Sequence, residues 1–148
     1  MKASEFFAPE GRQLIEQAIV DAELDTSGEI RVHVEVEFTG NILDRAASVF
    51  AKLGMHRTNL RNGVLIFFAI RNRNFAILGD VGINRMVPEN FWDETKAVME
   101  SHFRNSEFAL GLAIGVKMVG DQLKKHFPHL RSDTNELIND ISFDPTEA

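Results

Sequence analysis

A seven-residue apolar run at residues 64–70 dominates the hydrophobic pattern of the chain. It is rich in β-branched and aromatic side chains, with Asn62-Gly63 before it and Arg71-Asn72 after it. Such a run predicts a strand that is buried on both faces. Residues 75–78 follow after too few residues for a crossover, so they are predicted to pair antiparallel with it as a hairpin. The pattern therefore places residues 64–70 at the centre of a sheet.

Residues 30–37 alternate strictly between apolar and polar side chains, which is typical of a strand with one face in the core. The alternation predicts that the polar face is exposed and that the strand lies near an edge of the sheet. His33 is therefore expected to be an exposed strand residue rather than a ligand. The apolar positions are Ile30, Val32, Val34 and Val36, and the polar positions are Arg31, His33, Glu35 and Glu37.

Apolar residues at helical spacing precede and follow this alternating strand. The first helical segment ends near residue 24 and has Ser4 as a candidate N-cap. The second covers residues 42–53 and is predicted to end at Gly54. Strand, helix and strand in this order predict a Rossmann-like parallel crossover. Together with the hairpin, the order predicts the α/β class with a small mixed sheet.

Two further helices are predicted after the hairpin. One starts at Pro88, a residue that suits the first helical turn, and runs to about residue 103. The other covers residues 107–126 with Ser106 as its candidate cap, and three glycines would let a neighbour approach it closely. Residues 129–148 are polar with isolated apolar positions, so we expect a domain at residues 1–128 and a partly ordered polar tail. The three glycines are Gly111, Gly115 and Gly120.

Composition and charge argue against several classes of function. A chain of 148 residues has the size of one domain. Its formal net charge of −6 and pI near 5.3 argue against nucleic-acid binding. No apolar run approaches the roughly 20 residues of a membrane span, and the N-terminus has no signal-peptide core, so a cytoplasmic protein is expected. The absence of cysteine excludes disulfides and thiolate chemistry.

The predicted strand directions bring polar residues from three segments to one edge of the sheet. If residues 30–37 and 64–70 are parallel and residues 75–78 run the opposite way, then Glu29, Asn62 and Asp80 lie at the same edge. The loop before the central strand and the segment after the hairpin adjoin this edge. We call this edge the rim, and its candidate residues are Glu29, Arg57, Arg61, Asn62, Asp80, Asn84, Glu89 and Asp93.

The rim residues have the chemistry of a site for a hard divalent cation. Such ions bind several oxygen ligands, which carboxylates and the amides of Asn62 and Asn84 would supply. Arg61 and Arg57 would hold a phosphate beside the ion. Two simpler interpretations stay open, namely that Glu89 only interacts with a helix dipole and that Asp80 only forms a turn. The candidate metal ligands are Asp80, Glu89, Glu29 and Asp93.

No other motif in the sequence predicts a specific chemistry. Gly79 and Gly82 lack the lysine of a P-loop and the third glycine of a dinucleotide fingerprint. The histidines lack the HExxH spacing of a helical zinc site. Ser27 and Ser48 have no adjacent general base in the sequence, and no GxSxG occurs, so covalent serine catalysis is not predicted.

Five segments together resemble the TPM domain, a phosphatase-type domain. In chain order they are TSGEIRVHVEV, RNGVLIFFAI, RNRN, FAILGDVGIN and PENFWDE, and the resemblance covers about residues 5–127. The resemblance implies a three-layer α/β/α sandwich in a soluble, stand-alone domain of bacterial type. It also implies a divalent-cation site, with calcium favoured and magnesium possible, and the acid phosphatase activity of plant relatives.

These observations lead to two functions of different classes. The first is metal-dependent hydrolysis of phosphomonoesters by metal-bound water, because neither a cysteine nor a DxDxT-type aspartate pair supplies a covalent nucleophile. The alternative is a non-enzymatic module that binds a protein partner and maintains a larger complex, with the rim and the acidic tail as contact surfaces. A purely structural role for the loop at Asp80 is a third interpretation.

Overall fold

The computed structural model describes residues 1–129 and 141–144 and contains a mixed sheet between two helical layers. In this described part of the chain the strand order is β3-β2-β1-β4, and no helix is long and apolar enough to cross a membrane. The strands are β1 (Glu29–Glu35), β2 (Gly63–Ala69), β3 (Asn74–Gly79) and β4 (Ser142–Phe143). The helices are α1 (Pro9–Glu23), α2 (Ile42–Lys52), α3 (Val81–Asn84), α4 (Asp93–Arg104) and α5 (Phe108–His126).

β2 lies inside the sheet, and every one of its residues is buried. β1 pairs parallel with it, starting with Glu29 opposite Gly63. β3 pairs antiparallel on the other side, with Gly79 opposite Val64. The buried strand, the parallel crossover and the hairpin that the apolar pattern predicts are therefore confirmed.

Each face of the sheet carries its own apolar cluster. On one face, side chains of α1, α4 and α5 pack against Ile30 and Ile66. On the other face, Phe50 of α2 packs in a cluster with Leu65 and Phe67. Burial of an aliphatic or aromatic side chain of this size contributes about 1.5–3 kcal/mol, so both layers are held mainly by the hydrophobic effect. The α/β/α sandwich is confirmed.

β1 lies next to the two-residue edge strand β4, so it is near an edge as predicted, but its polar face is not open to solvent. β4 pairs parallel with it on the side away from β2, and Ser142 lies opposite His33. Two of the side chains that were expected to meet solvent are covered, because His33 and Glu35 are only 4% and 1% exposed, whereas Glu37 is exposed as predicted. The alternation assigns residues to the correct faces, but it does not reveal what covers each face. The prediction of an exposed His33 is wrong.

β4 belongs to the segment that the sequence predicts to be a polar tail. Ile141 is 6% exposed, and Phe143 packs its ring under the Arg12 guanidinium at 5.1 Å, so this part of the tail packs on the domain. Residues 130–140 and 145–148 of the predicted tail lie outside the described residues. The division into a domain at residues 1–128 and a tail stays a prediction.

The first helix begins later than predicted, whereas the second ends where expected. Ser4 lies in a short 3-10 turn, and α1 begins at Pro9, whose fixed φ suits the first helical turn. α2 begins after Asn41, whose side-chain oxygen accepts hydrogen bonds from two backbone N–H groups of the first turn. Gly54 follows α2 with a φ of 67°, the left-handed conformation that terminates helices.

The starts of α4 and α5 also differ from the prediction. α4 begins at Asp93 rather than Pro88, because residues 88–92 form turns in which the Phe91 N–H donates to the Pro88 carbonyl. Ser106 has a φ of 60° and does not cap α5, which begins at Phe108. Proline fixes only its own φ, so the residues that follow it still decide whether a helix continues.

The three glycines of α5 do permit close packing, as predicted. A methyl group at Gly115 would lie 2.5 Å from the Met99 sulfur of α4, and one at Gly120 would lie 2.6 Å from Ala22 Cβ of α1. These glycines allow α5 to lie close to both neighbouring helices.

Gly82 lets the segment after β3 pack closely against the backbone of the loop before β2. Replacement of Gly82 tests this close packing. A methyl group there would lie 2.2 Å from the Leu60 carbonyl oxygen and 2.6 Å from that of Arg61. We expect Gly82→Ala to lower the free energy of unfolding by roughly 1–3 kcal/mol, as overpacking does, because backbone must shift. Gly79→Ala is the control, since its nearest atom would be an Ile83 side-chain carbon at 3.3 Å. Urea denaturation that gives equal losses for the two variants would contradict this account.

Candidate functional site

The structure brings the three strand-end segments of the rim together, as the strand directions predict. The Asp80 N–H donates to the Gly63 carbonyl at 2.9 Å, and the Glu29 N–H donates to the Asn62 carbonyl at 3.4 Å. The Gly82 N–H donates to the Arg61 carbonyl at 2.9 Å, which attaches the start of α3 to the loop before β2. The backbone of the rim is thus built by hydrogen bonds between segments far apart in sequence.

Asp80 is the buried anionic centre of the rim, and Arg61 is its partner. The Asp80 side chain is 4% exposed, whereas that of Arg61 is 45% exposed. Arg61 donates two hydrogen bonds, from Nε to Oδ2 at 2.8 Å and from Nη2 to Oδ1 at 3.0 Å. Asp80 Oδ1 also accepts from the Val81 N–H at 2.7 Å and so caps α3. The hydrogen bond to Asp80 raises the pKa of Arg61 further above its usual value.

Arg61 adopts an unusual backbone conformation to reach Asp80. Its φ is 52°, in the left-handed region that residues with a Cβ rarely occupy. Such conformations cost about 1–3 kcal/mol and persist only where surrounding contacts hold them. The contacts that hold it include the bidentate pair with Asp80 and the hydrogen bond from the Gly82 N–H to the Arg61 carbonyl.

The two rim amides use their nitrogens as donors, and they differ in exposure, since Asn84 is exposed whereas Asn62 is only 1% exposed. Asn62 Nδ2 donates to Ser27 Oγ at 3.3 Å, and Asn84 Nδ2 donates to the Gly79 carbonyl at 3.0 Å. Because an amide group has one acceptor oxygen and one donor nitrogen, these bonds leave the carbonyl oxygens as acceptors. This orientation suits a cation better than an anion.

Glu29 is buried at the start of β1, where its neighbour is Glu23 at the end of α1. Glu23 Oε2 accepts from the Ile30 N–H at 2.8 Å. Burial, followed by a hydrogen bond with Glu29 and the charge of Glu29, raises the pKa of Glu23 to about 9. Glu23 therefore carries a proton at neutral pH, and Glu29 is its hydrogen-bond partner.

The remaining predicted rim residues are on the surface. Glu89 is exposed in the turns before α4, Asp93 is exposed at the first position of α4, and Arg57 is exposed in the loop before β2. Within residues 1–129 and 141–144, no group of three or more His, Asp or Glu side chains is placed to hold a metal ion. The oxygen chemistry of the rim fits a hard cation, but its carboxylates are dispersed and Asp80 is already paired.

A second polar centre, which the sequence did not predict, lies further along β1. The His33 ring makes two hydrogen bonds, from Nδ1 to Ser142 Oγ at 2.9 Å and from Nε2 to Glu35 Oε2 at 3.0 Å. Arg45 of α2 donates from Nε and Nη2 to the two oxygens of Glu35. Burial raises the pKa of Glu35, but hydrogen bonds from His33 and Arg45 outweigh it and lower this pKa to about 2. These four residues border a cavity of about 270 Å³ between α2 and β4.

A groove lies between α1 and α5. It has a volume of about 390 Å³ and an apolar floor that includes Ala18 and Ala113. Leu14 and Leu110 border it and are 44% and 38% exposed. Charged side chains of both signs surround these apolar residues, for example Asp21 and Lys117.

Comparisons with known proteins give a consistent result. A family model described as the TPM domain matches residues 1–122. The BA42 protein from the psychrophilic bacterium Bizionia argentinensis, which has an NMR structure, is 43% identical in sequence to this chain. The two structures match with a TM-score of 0.90 over 97% of this chain and 99% of that one. The N-terminal domain of a P. gingivalis protein shares the fold alone, with 17% identity and a TM-score of 0.67 over 86% and 84% of the two chains. No protein with a curated description matches in sequence.

The raised pKa of Glu23 predicts how stability changes with pH. The folded protein holds this proton more tightly than the unfolded chain, so the stabilisation is complete below pH 4.5 and is lost as pH rises towards 9. Glu23→Gln keeps an acceptor for the Ile30 N–H and a donor for Glu29. We expect the variant to lose this pH dependence in urea denaturation between about pH 5 and pH 9. Glu37→Gln, at a carboxylate whose side chain is 64% exposed, is the control. An unchanged profile in Glu23→Gln would contradict the assignment.

Proposed function

Because this chain belongs to the TPM domain family, we propose that it binds a divalent cation at the rim and hydrolyses phosphomonoesters there. Calcium is the favoured ion, and magnesium is the alternative. The observation that carries this proposal is the buried Asp80 carboxylate, held at the rim by a half-exposed arginine. The family model, which is named TPM_phosphatase, supports the same class of substrate.

In this proposal the rim residues have two kinds of role. Asp80 is the central ligand, Asn62 and Asn84 offer amide oxygens, and a bound ion would lower the pKa of a water molecule and neutralise phosphate charge. Arg61 uses Nε and Nη2 for Asp80, so Nη1 is left for a phosphate oxygen. Arg57 is the second candidate phosphate ligand, and Glu29, Glu89 and Asp93 are the further candidate metal ligands.

The existing pairing of Asp80 predicts weak cation binding. An arriving cation must compete with two hydrogen bonds from Arg61. Sites that are poorly preformed bind calcium with dissociation constants of about 10⁻⁴–10⁻³ M. Arg61 therefore has two linked roles, as the partner of Asp80 and as a phosphate ligand. A cation that binds Asp80 would displace the guanidinium, which could then bind phosphate.

Opposite effects of two substitutions test this proposal. Asp80→Asn should abolish cation-dependent NMR shifts of the rim backbone and the hydrolysis of 4-nitrophenyl phosphate. Arg61→Gln should instead strengthen cation binding, because the guanidinium that competes for Asp80 is removed, while it weakens hydrolysis. Arg85→Gln, at an exposed arginine next to α3, is the matched control and should change neither. Absence of rim shifts in the unsubstituted protein at about ten times the expected dissociation constant would refute the proposal.

A protein-binding role is the second candidate function. The observation that favours it is the groove between α1 and α5, which is bordered by the partly exposed Leu14 and Leu110. Apolar surface of this kind is typical of contacts with apolar side chains of a partner. A complex that survives Asp80→Asn and is lost on substitution of Leu14 and Leu110 by glutamate would favour this role over the first.

A further inference from the structure

The geometry points to Ser142 as a nucleophile that His33 activates as a general base, in a pocket that takes small uncharged carboxylic esters. This site lies on β1 and β4, apart from the rim residues. Its three polar members are buried, since Ser142, His33 and Glu35 are 8%, 4% and 1% exposed. It is independent of the proposed cation and of the rim.

The protonation state of Glu35 determines which nitrogen of His33 carries the proton. An ionised carboxylate only accepts hydrogen bonds, and Glu35 is ionised because its pKa is about 2. In its neutral form the His33 ring therefore donates from Nε2 to Glu35 Oε2. Nδ1 is then unprotonated, and the Ser142 hydroxyl donates to it at 2.9 Å. A serine hydroxyl that donates to a carboxylate-oriented imidazole is the arrangement that activates serine nucleophiles, here with the two ring nitrogens exchanged.

Three contacts hold the histidine ring in this orientation. Ser142 and Glu35 fix the ring plane through their hydrogen bonds, and Phe67 stacks on the ring with centroids 5.8 Å apart. Arg45 in turn holds the Glu35 carboxylate through two hydrogen bonds. The negative charge of Glu35 stabilises the imidazolium that forms when His33 takes a proton.

The lining of the pocket selects the class of substrate. Its volume of about 270 Å³ is near the lower end of the roughly 300–1,000 Å³ of small-molecule sites. Val49, Leu53 and Phe143 supply apolar wall, which suits an acyl chain. Glu35 and Asp144 line the pocket together with Arg45 and Lys52, so the charges balance and no excess positive charge is left to hold a phosphate dianion. An uncharged ester needs no such charge.

The reaction proceeds in two balanced steps. Ser142 Oγ attacks the ester carbonyl and forms a C–O bond, while its proton passes to His33 Nδ1. The bond to the leaving alcohol breaks, the alcohol takes the proton from His33, and the acyl group remains on Ser142. Water then attacks the acyl-serine with its proton going to His33, and the carboxylic acid leaves as Ser142 regains a proton. Arg45 and Lys52, which line the pocket, supply positive charge near the developing oxyanion.

Covalent labelling of the full chain with diisopropyl fluorophosphate tests this inference, because the reagent phosphorylates activated serines. We expect one adduct, located on Ser142 by peptide mass spectrometry and formed equally in the presence of EDTA. Ser142→Ala should remove the adduct, and His33→Gln should slow its formation by about 10²–10⁴-fold. Ser48→Ala, at an exposed serine of α2, should leave labelling unchanged.

The pH profile of labelling needs no variant and separates catalysis from a purely structural hydrogen bond. The rate should be lower in acid than at neutral pH, since a protonated imidazole cannot accept the serine proton. A stable wild-type protein without an adduct on Ser142 would overturn the inference. A labelling rate that is the same in acid and at neutral pH would overturn it as well. The two proposals fail separately, because an absence of cation-dependent NMR shifts at the rim would refute the proposed phosphatase site and leave the Ser142 site unaffected.

Discussion

The parallel pairing of β1 with β2 is the constraint on which the rest of the structure depends. It sets Glu29 beside Gly63 at one end and Glu35 beside Ala69 at the other. Because β3 returns antiparallel, Asp80 arrives at the same edge as Glu29 and Asn62. A reversed β1 would separate Glu29 from Asp80.

Helix α2 and strand β4 cover His33 and Glu35 of β1, and this burial determines the second polar centre. A buried polar group without a partner costs about 1–3 kcal/mol, and a buried charge costs more. The protein meets this cost with a partner from another element at each end of the strand. Glu23 of α1 accepts a hydrogen bond at the start of β1, and Arg45 of α2 and Ser142 of β4 bind Glu35 and His33 further along.

Much of the fold could be predicted from the sequence because the apolar pattern is strong. The run at residues 64–70 needs no partner to be recognised as a buried strand, and the short connection to residues 75–78 permits only a hairpin. The exposure of β1 could not be predicted in this way, since alternation defines two faces but not their cover. β4 has only two residues within a polar segment, so it produces no periodic signal.

The candidate sites were predictable only as far as strand direction determines them. Direction alone brings Glu29, Asn62 and Asp80 to one edge, and the structure confirms this. The pairing of Asp80 with Arg61 depends on the left-handed backbone at Arg61, which no sequence pattern indicates. The contact between His33 and Ser142 joins residues 109 positions apart through β4. The only available signal was the presence of His33 and Glu35 on the same face of a strand.

The nitrogen-15 chemical shifts of the His33 ring test the buried polar face of β1 most directly. At about pH 8 this account predicts a ring with its proton on Nε2 and an unprotonated Nδ1. The ring proton should also exchange slowly with solvent, because His33 is 4% exposed. A ring protonated on Nδ1, or a rapidly averaging mixture of both tautomers, would contradict it.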